Sequence, residues 1–427
     1  MKKTYIDTAM ERIAPDLILK GGNVVDVFSG RVIKADVIIK DGIICGVGSY
    51  SGENEQDVSG KYIMPGFIDS HVHIESSMTQ PSEYAKAVMP HGITTVIADP
   101  HEITNVCGED GLEFMLKSAK NIPLDVNLML PSCVPATPFE HTGANLDAKT
   151  TQKLAPKFFG IGEMMNYPGI VSGDDETLGK LCLDIVDGHA PLLSGHELDA
   201  YASAGIKTDH ECSVIEEMTE KISKGMYILL REGTLSLDVA KLIKGVTPYT
   251  LRRCAFCTDD RFVGEIIRDG SIDHCIRKAV SLGLSNIDAI IMATLNACEM
   301  YGMKNKGAIA PSYVADIVVA DDLNLSSISQ VYKNGKLVCE NGKALFECET
   351  VDNSKVTNTV HLPKISDDFF KTDVKDKFDA IELIPESIIT KKVTVSYSDS
   401  LSKVCVIERH HNLGTKGIGF VTNYGIT

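Results

Sequence analysis

MPGFIDSHVHIE, residues 64–75, decides how this chain is read. Pro65-Gly66 interrupts whatever precedes it. Phe67-Ile68 then open a short apolar run that ends on two histidines two positions apart, His71 and His73. Side chains alternate along a strand, so residues two apart face the same side and both imidazoles reach one point. On a helix the same spacing would aim them nearly opposite ways. Two unrelated loop histidines would also spell H-x-H, but Asp69 and the buried-strand context favour a pair that shares a metal ion.

Working outward from this stretch, short apolar runs recur at 92–99 (GITTVIAD), 124–131 (LDVNLMLP), 158–164 (FFGIGEM) and 255–260 (AFCTDD). Such short apolar runs suit buried parallel strands. Helical stretches such as 111–120 (GLEFMLKSAK) and 271–283 (SIDHCIRKAVSLG) lie between them. Strand–helix alternation over this length predicts a β/α barrel with active-site groups at the C-terminal ends of the strands. An open doubly wound sheet is the alternative, and no glycine-rich fingerprint follows an early strand to support it. Both flanks read differently: residues 17–50 alternate Val and Ile around Lys-Asp-Gly and Gly-Gly turns, and 315–322 and 329–338 repeat that pattern. The flanks therefore predict one small β domain built around an inserted one, with 1–64 as its first part, 65–308 as the inserted catalytic domain and 309–350 as its second part. Residues 351–370 are polar and irregular, a linker, and the tail to 427 carries further strand-like pieces.

A catalytic metal site needs more than two histidines, since it commonly takes three or more protein ligands and keeps a position for water. Glu163 ends GIGEM, His189 lies in VDGHAP, His210 in TDHE and Asp259 in CTDD, each where a barrel strand should end. Singly, each has an ordinary account as a loop glutamate, a satisfied histidine or an N-cap aspartate. The ordered set H-x-H, carboxylate, His, His, Asp is much harder to obtain by chance.

That order resembles the amidohydrolase superfamily, where two histidines on the first barrel strand precede a bridging ligand, two more histidines and a final aspartate. Glu163 stands where a carbamylated lysine is usual, which is similar to the adenine deaminase family. GFIDSHVHIESSM (66–78), GITTVIADPHEI (92–103), GEMMN (162–166), DGHAP (187–191), TDHE (208–211), REG (231–233) and CTDD (257–260) carry the resemblance. It implies an α/β fold: a (β/α)8 TIM-type barrel, a small β-sandwich domain from both flanks, and a partial C-terminal α+β domain over 351–427. These enzymes continue beyond GFVTNYG, so the tail is expected to be an incomplete domain.

By the same resemblance, His71, His73, Glu163, His189, His210 and Asp259 would hold one or two divalent ions, with a binuclear centre expected. Imidazole and carboxylate suit manganese, iron or zinc, and the family favours manganese or iron. The implied reaction is adenine plus water to hypoxanthine plus ammonia, a purine-salvage step. Asp259 would relay the proton, and Glu211 or Glu102 would protonate ring N1. Asp99, His101, Arg231 and Asp260 would shape the pocket. A cyclic-amide hydrolase of the same superfamily is the rival reading, and a lysine at position 163 would have favoured it. An inactive truncated barrel is a third.

Composition narrows the partners. A net charge of −16, from 42 Lys+Arg against 58 Asp+Glu, repels phosphate backbones and argues against nucleic acid. With 44% apolar residues the chain can bury a sizeable core. Twelve scattered cysteines in so long a chain read as reduced thiols. MKKTYIDTAMERIAPDL has no apolar stretch behind its lysines and no run reaches bilayer length. The expectation is a cytoplasmic enzyme of a small purine, without membrane partners, and homo-oligomeric as superfamily members often are. Cys254 and Cys257, without a second pair, read as core packing rather than a zinc knuckle. His410-His411 read as a solvated loop, and Asp174-Asp175-Glu176 as a charged helix start. His91, His141, His196, His274 and His361 have no partners by spacing.

Overall fold

Eight strands with buried side chains on both faces form the centre of the molecule, seen in a computed structural model that describes residues 2–373, 376–385, 390–398 and 401–425. In chain order they are β1 (Phe67–Val72), β2 (Ile93–Ala98), β3 (Asp125–Leu130), β4 (Gly160–Met164), β5 (Val186–Gly188), β6 (Thr208–Asp209), β7 (Tyr227–Arg231) and β8 (Cys254–Cys257). Strands β1 to β5 pair in sequence order in one parallel sheet, and β6 to β8 in another. A parallel bridge from Val72 to Asp259 joins the two, with the Asp259 amide donating to the His71 carbonyl at 3.0 Å. At the other margin the Gly188 amide donates to Thr208 Oγ1 at 3.0 Å. The result is a mixed α/β fold around a curled parallel sheet. Helices cover its outside, as continuous Val/Ile strands require. Helix Ile272–Ser281 shows why: Ile272, Cys275, Ile276 and Ala279 fall on one face at i, i+3, i+4 and i+7, and all are buried.

Strands from both flanks share one nine-stranded sheet, in which Tyr62–Pro65 pairs antiparallel with Ile317–Ala320. Tight two-residue turns set several of its hairpins. Asp41-Gly42 joins Arg31–Lys40 to Ile43–Gly48, and Asn334-Gly335 joins Ile328–Lys333 to Lys336–Glu340. All four turn residues have positive φ, the two-residue turn whose twist matches paired strands. The chain passes from this sheet into β1 across Gly66 alone. Lys306 and Lys333 fasten the junction: Lys333 Nζ donates to Asp316 and Asp125 at 2.7 Å each, and Lys306 Nζ donates to the same two carboxylates. Asp125 begins β3, so this junction lies at the N-terminal ends of the parallel strands and leaves their C-terminal ends for chemistry.

Beyond an irregular stretch from 345, a four-stranded sheet runs in the order Thr390–Val395, Phe378–Leu383, Lys416–Thr422, Ser402–Ile407. Phe378 packs on Phe420 with ring centroids 4.6 Å apart. Ile426 and Thr427, the end of GIGFVTNYGIT, lie outside the described residues. The first turns of the chain differ from expectation, because Lys2–Ala9 is a helix where no element was predicted. Asp174 caps Asp175–Gly179 by accepting from the Thr177 amide at 2.8 Å. No helix among the described residues is long and apolar enough to cross a membrane.

Candidate metal centre

The C-terminal ends of the parallel strands bring His71, His73, Glu163, His189, His210 and Asp259 together. His71 is in β1 and His73 follows it; Glu163 is in β4; His189 and His210 come directly after β5 and β6; Asp259 lies just beyond β8. His71 Nε2 and His73 Nε2 are 3.3 Å apart, and Asp259 Oδ1 stands 3.5 and 3.3 Å from them. Glu163 lies between two groups of histidines. Its Oε1 is 3.4 Å from His73 Nε2, while its Oε2 is 2.7 Å from His189 Nδ1 and 3.2 Å from His210 Nε2. The His71 and His210 rings stack with centroids 4.1 Å apart.

The tautomer of His73 shows what this arrangement lacks. Its Nδ1 lies 2.9 Å from the Asp99 carbonyl oxygen, which can only accept, so Nδ1 carries the proton. Nε2 then presents a lone pair to His71 Nε2, Glu163 Oε1 and Asp259 Oδ1, among which the carboxylate oxygens can only accept. Buried acceptors facing one another are costly unless a positive charge sits among them. Imidazole nitrogens and carboxylate oxygens in this density fit a divalent ion, and two groups that share Glu163, His71–His73–Glu163 and Glu163–His189–His210, could each hold one.

Electrostatics keep the acids ready. Burial pushes the Asp259 carboxyl up, but its contacts with His71 and His73 and the charge of His210 hold it well below its ordinary value. Burial likewise opposes Glu163, and His189, His101 and His210 pull it well below the ordinary range. Gly162 makes part of this possible. A Cβ there would come within 2.2 Å of Asp99 Oδ2, the atom that accepts from the Glu163 amide at 3.0 Å.

Of the other residues singled out from sequence, Arg231 is buried and paired with three carboxylates. Its Nη1 donates to Glu211 and, at 2.8 Å, to Asp259, while Nε donates to Asp238 at 3.1 Å. Glu211 Oε1 is 3.6 Å from His210 Nε2. Glu102 is exposed at the mouth, 3.4 Å from His73 Nδ1. Asp260 and Arg231 line a cavity of about 240 Å³ with Ser76, Met78, Asp259 and Phe262. Asp99 and His101 lie behind Glu163 and do not line that cavity: His101 Nε2 donates to the Cys133 carbonyl at 2.8 Å and its Nδ1 is 3.4 Å from Glu163 Oε1.

Reading by sequence missed several neighbours of the centre. Glu75 is one, its Oε1 accepting from the Ile103 amide while Oε2 is buried without a partner. Burial and then the charge of Glu102 push its carboxyl up to about 8. Asp69, which the sequence did single out, accepts from the Thr258 amide at 3.0 Å and its hydroxyl at 2.5 Å, tying β1 to the loop that carries Asp259. Lys221 is another, described below. Only the acid two places after H-x-H offered a signal, because the remaining contacts join distant parts of the chain. His91, expected to be without a partner, instead has Nδ1 3.1 Å from Asp273, a residue of the helix packed beside it. His411 Nε2 donates to the Thr142 carbonyl at 2.9 Å, so the His410-His411 turn is docked rather than free. All twelve cysteines are free, and Cys254 and Cys257 are buried in β8.

Comparison with known proteins places these features. A model of the amidohydrolase family matches residues 62–338. The chain is 47% identical to a protein of Clostridium acetobutylicum named adenine deaminase, across 99% of this chain and 77% of that protein. It is 44% identical to the adenine deaminase of Halalkalibacterium halodurans, across 96% of this chain and 75% of the relative. Among solved structures, enamidase aligns with a TM-score of 0.58 at 19% identity, covering 78% of this chain and 97% of the enamidase chain. A β-aspartyl dipeptidase from Fervidobacterium islandicum AW-1 aligns at 0.55 and 19%, covering 79% and 98%. At those identities the structures speak for the fold alone.

Proposed function

The chain belongs to the amidohydrolase family, and from that premise we propose that it deaminates adenine, releasing hypoxanthine and ammonia. The observation that carries the reading is Glu163, whose two oxygens face His73 on one side and His189 and His210 on the other. We read the parallel strands as one (β/α)8 barrel with the centre at its C-terminal mouth, and the nine-stranded sheet as the wall of a small β-sandwich domain.

His71, His73 and Asp259 would hold one divalent ion, His189 and His210 a second, and Glu163 would bridge them. When bound, the metal lowers the pKa of water from ~15.7 towards ~7 and so supplies hydroxide at neutral pH. Manganese is the first ion to test, with iron and zinc next.

The protein's own groups do the rest. We place the adenine ring in the cavity beside Asp259, which the apolar Met78 and Phe262 and the polar Asp260 line, with C6 towards the centre. Asp259, kept anionic by its histidine neighbours, accepts the proton of the attacking water and passes it on. C6 becomes tetrahedral as ring N1 takes a proton from Glu211 or Glu102. Collapse breaks the C6–N bond: the amine leaves as ammonia with the relayed proton, and the C6 hydroxyl returns its proton to the glutamate as the carbonyl forms. Arg231 holds Asp259 and Glu211 through hydrogen bonds from Nη1. Free thiols on every cysteine support a cytoplasmic setting, and the family habit supports a homo-oligomer.

The test is direct. Manganese-loaded protein should consume adenine, followed by absorbance, with equimolar ammonia, and Asp259→Ala should abolish both. Folded, metal-loaded protein that leaves adenine untouched but opens a cyclic amide would overturn the reading.

A further inference from the structure

Lys221 has no exposed surface at all, although it lies on the amphipathic helix Ile215–Ser223, away from the reacting atoms. A lysine ammonium carries three protons, and each here has one acceptor. Nζ donates to the Ala190 carbonyl at 2.7 Å, to Asp209 Oδ2 at 2.7 Å and to Glu217 Oε1 at 2.8 Å. Ala190 follows His189, and Asp209 precedes His210.

The same atoms knit the two loops to each other. The Ala190 amide donates to Asp209 Oδ1 at 2.9 Å, so residue 190 is held at both its N–H and its C=O. Glu217, one turn before Lys221 on the helix, accepts from the Leu192 amide at 2.7 Å and the Ser213 amide at 3.3 Å. Lys221 and Glu217 thereby bind the segment after β5 and the segment after β6 to one helix. Among the described residues, no hydrogen bond of this network reaches β1, β8 or the residues directly after them, where His71, His73 and Asp259 lie.

A buried ion pair of this kind is a poor source of stability, because desolvation consumes most of the attraction. A lysine placed where its ammonium meets exactly these two loops therefore calls for another reason. We propose that Lys221 is a positioning residue for the metal centre: it fixes His189 and His210, and so governs the ion held with Glu163 Oε2 while leaving the ion at His71, His73 and Asp259 to other supports. This rests on the two-ion reading given above. Residues that orient metal ligands typically cost 10- to 100-fold in affinity when replaced, and the loss here should fall on one ion only.

The experiment is a manganese titration of chelator-treated full-length protein by calorimetry, with electron paramagnetic resonance reporting the exchange-coupled pair. Wild type should bind two ions and develop the coupled signal. Lys221→Met should retain the first binding step and weaken the second by about 10- to 100-fold, with the coupled signal delayed to higher manganese. Glu217→Gln keeps Lys221 paired to Asp209 but loosens its grip, and should weaken the same step less. Equal weakening of both steps would mark Lys221 as merely structural and overturn the proposal, as would two unchanged steps. If Lys221→Met does not fold, Glu217→Gln decides by the same criterion. Wild type that binds fewer than two ions would remove the binuclear centre itself, and the proposal with it, which is distinguishable from failure of the variants alone.

Discussion

Arg231→Lys isolates the geometry of the centre from its charge. Arg231 is 4% exposed and is shared by three carboxylates, with Nη1 on Glu211 and Asp259 and Nε on Asp238. A lysine preserves the positive charge, so the three acids remain compensated and the protein should fold. A single ammonium on a flexible stem cannot reproduce a planar fork that meets Asp238 from one nitrogen and Asp259 from another. At least one charge-assisted hydrogen bond is lost, worth roughly 1.5–3 kcal/mol. If Asp259 is held for proton transfer, that loss appears in the transition state, and at ~1.36 kcal/mol per factor of ten it becomes about a 10- to 150-fold fall in kcat. Removing the charge is harsher: Arg231→Met leaves buried carboxylates unpaired, at a cost of roughly 3–5 kcal/mol. The assay is steady-state adenine turnover on manganese-loaded protein, with metal content and thermal melting measured on the same samples. Arg231→Lys with full metal content and kcat within twofold of wild type would refute the argument that Arg231 orients Asp259.

Three further expectations follow from other parts of the molecule. Gly162→Ala puts a methyl where Asp99 Oδ2 stands, 2.2 Å away, so Asp99 must release the Glu163 amide; metal affinity should fall while the rest of the fold melts normally, as read by elemental analysis and calorimetry. Asp316 tests pH dependence: burial raises its carboxyl, but Lys333 and Lys306 pull it below its ordinary value. Its stabilising contribution is thus present above the unfolded value of ~3.9 and lost as pH falls through the lower folded value. Asp316→Asn should be less stable than wild type at pH 7, with the gap closing in acid below about pH 4, as denaturant midpoints across pH would show. Ile276→Ala removes a fully buried side chain from the helix behind the sheet and should cost roughly 2–5 kcal/mol while leaving turnover per folded molecule unchanged.

What the sequence determines by itself is local and periodic. Two-residue spacing in SHVH brings His71 and His73 to one point because a strand repeats every two residues. Asp41-Gly42 and Asn334-Gly335 specify hairpin turns because few other pairs tolerate positive φ twice in succession. Apolar runs such as ITTVIA specify strands buried on both faces, and the order of His, Glu, His, His and Asp along the chain matches the order in which successive strands end. A family resemblance adds the reaction, since spacing carries no information about a purine.

Tertiary structure decides whatever depends on residues meeting across long separations. Thr258 and Asp69 are 189 positions apart, and no periodicity announces that one ties the other's strand to the Asp259 loop. Arg231 reads from the sequence as a pocket residue, and only packing reveals that its Nη1 and Nε are committed to three carboxylates. Lys221 has no signature as a single residue, because a buried charge is defined by what surrounds it and not by its neighbours in the chain. His91 had no partner by spacing for the same reason: Asp273 reaches it from a helix 182 positions later. A strand's period can place a ligand at the mouth of the sheet, but whether its lone pair meets another acceptor, a donor or an ion is settled by the backbone carbonyl that takes its other proton, as the Asp99 carbonyl does for His73.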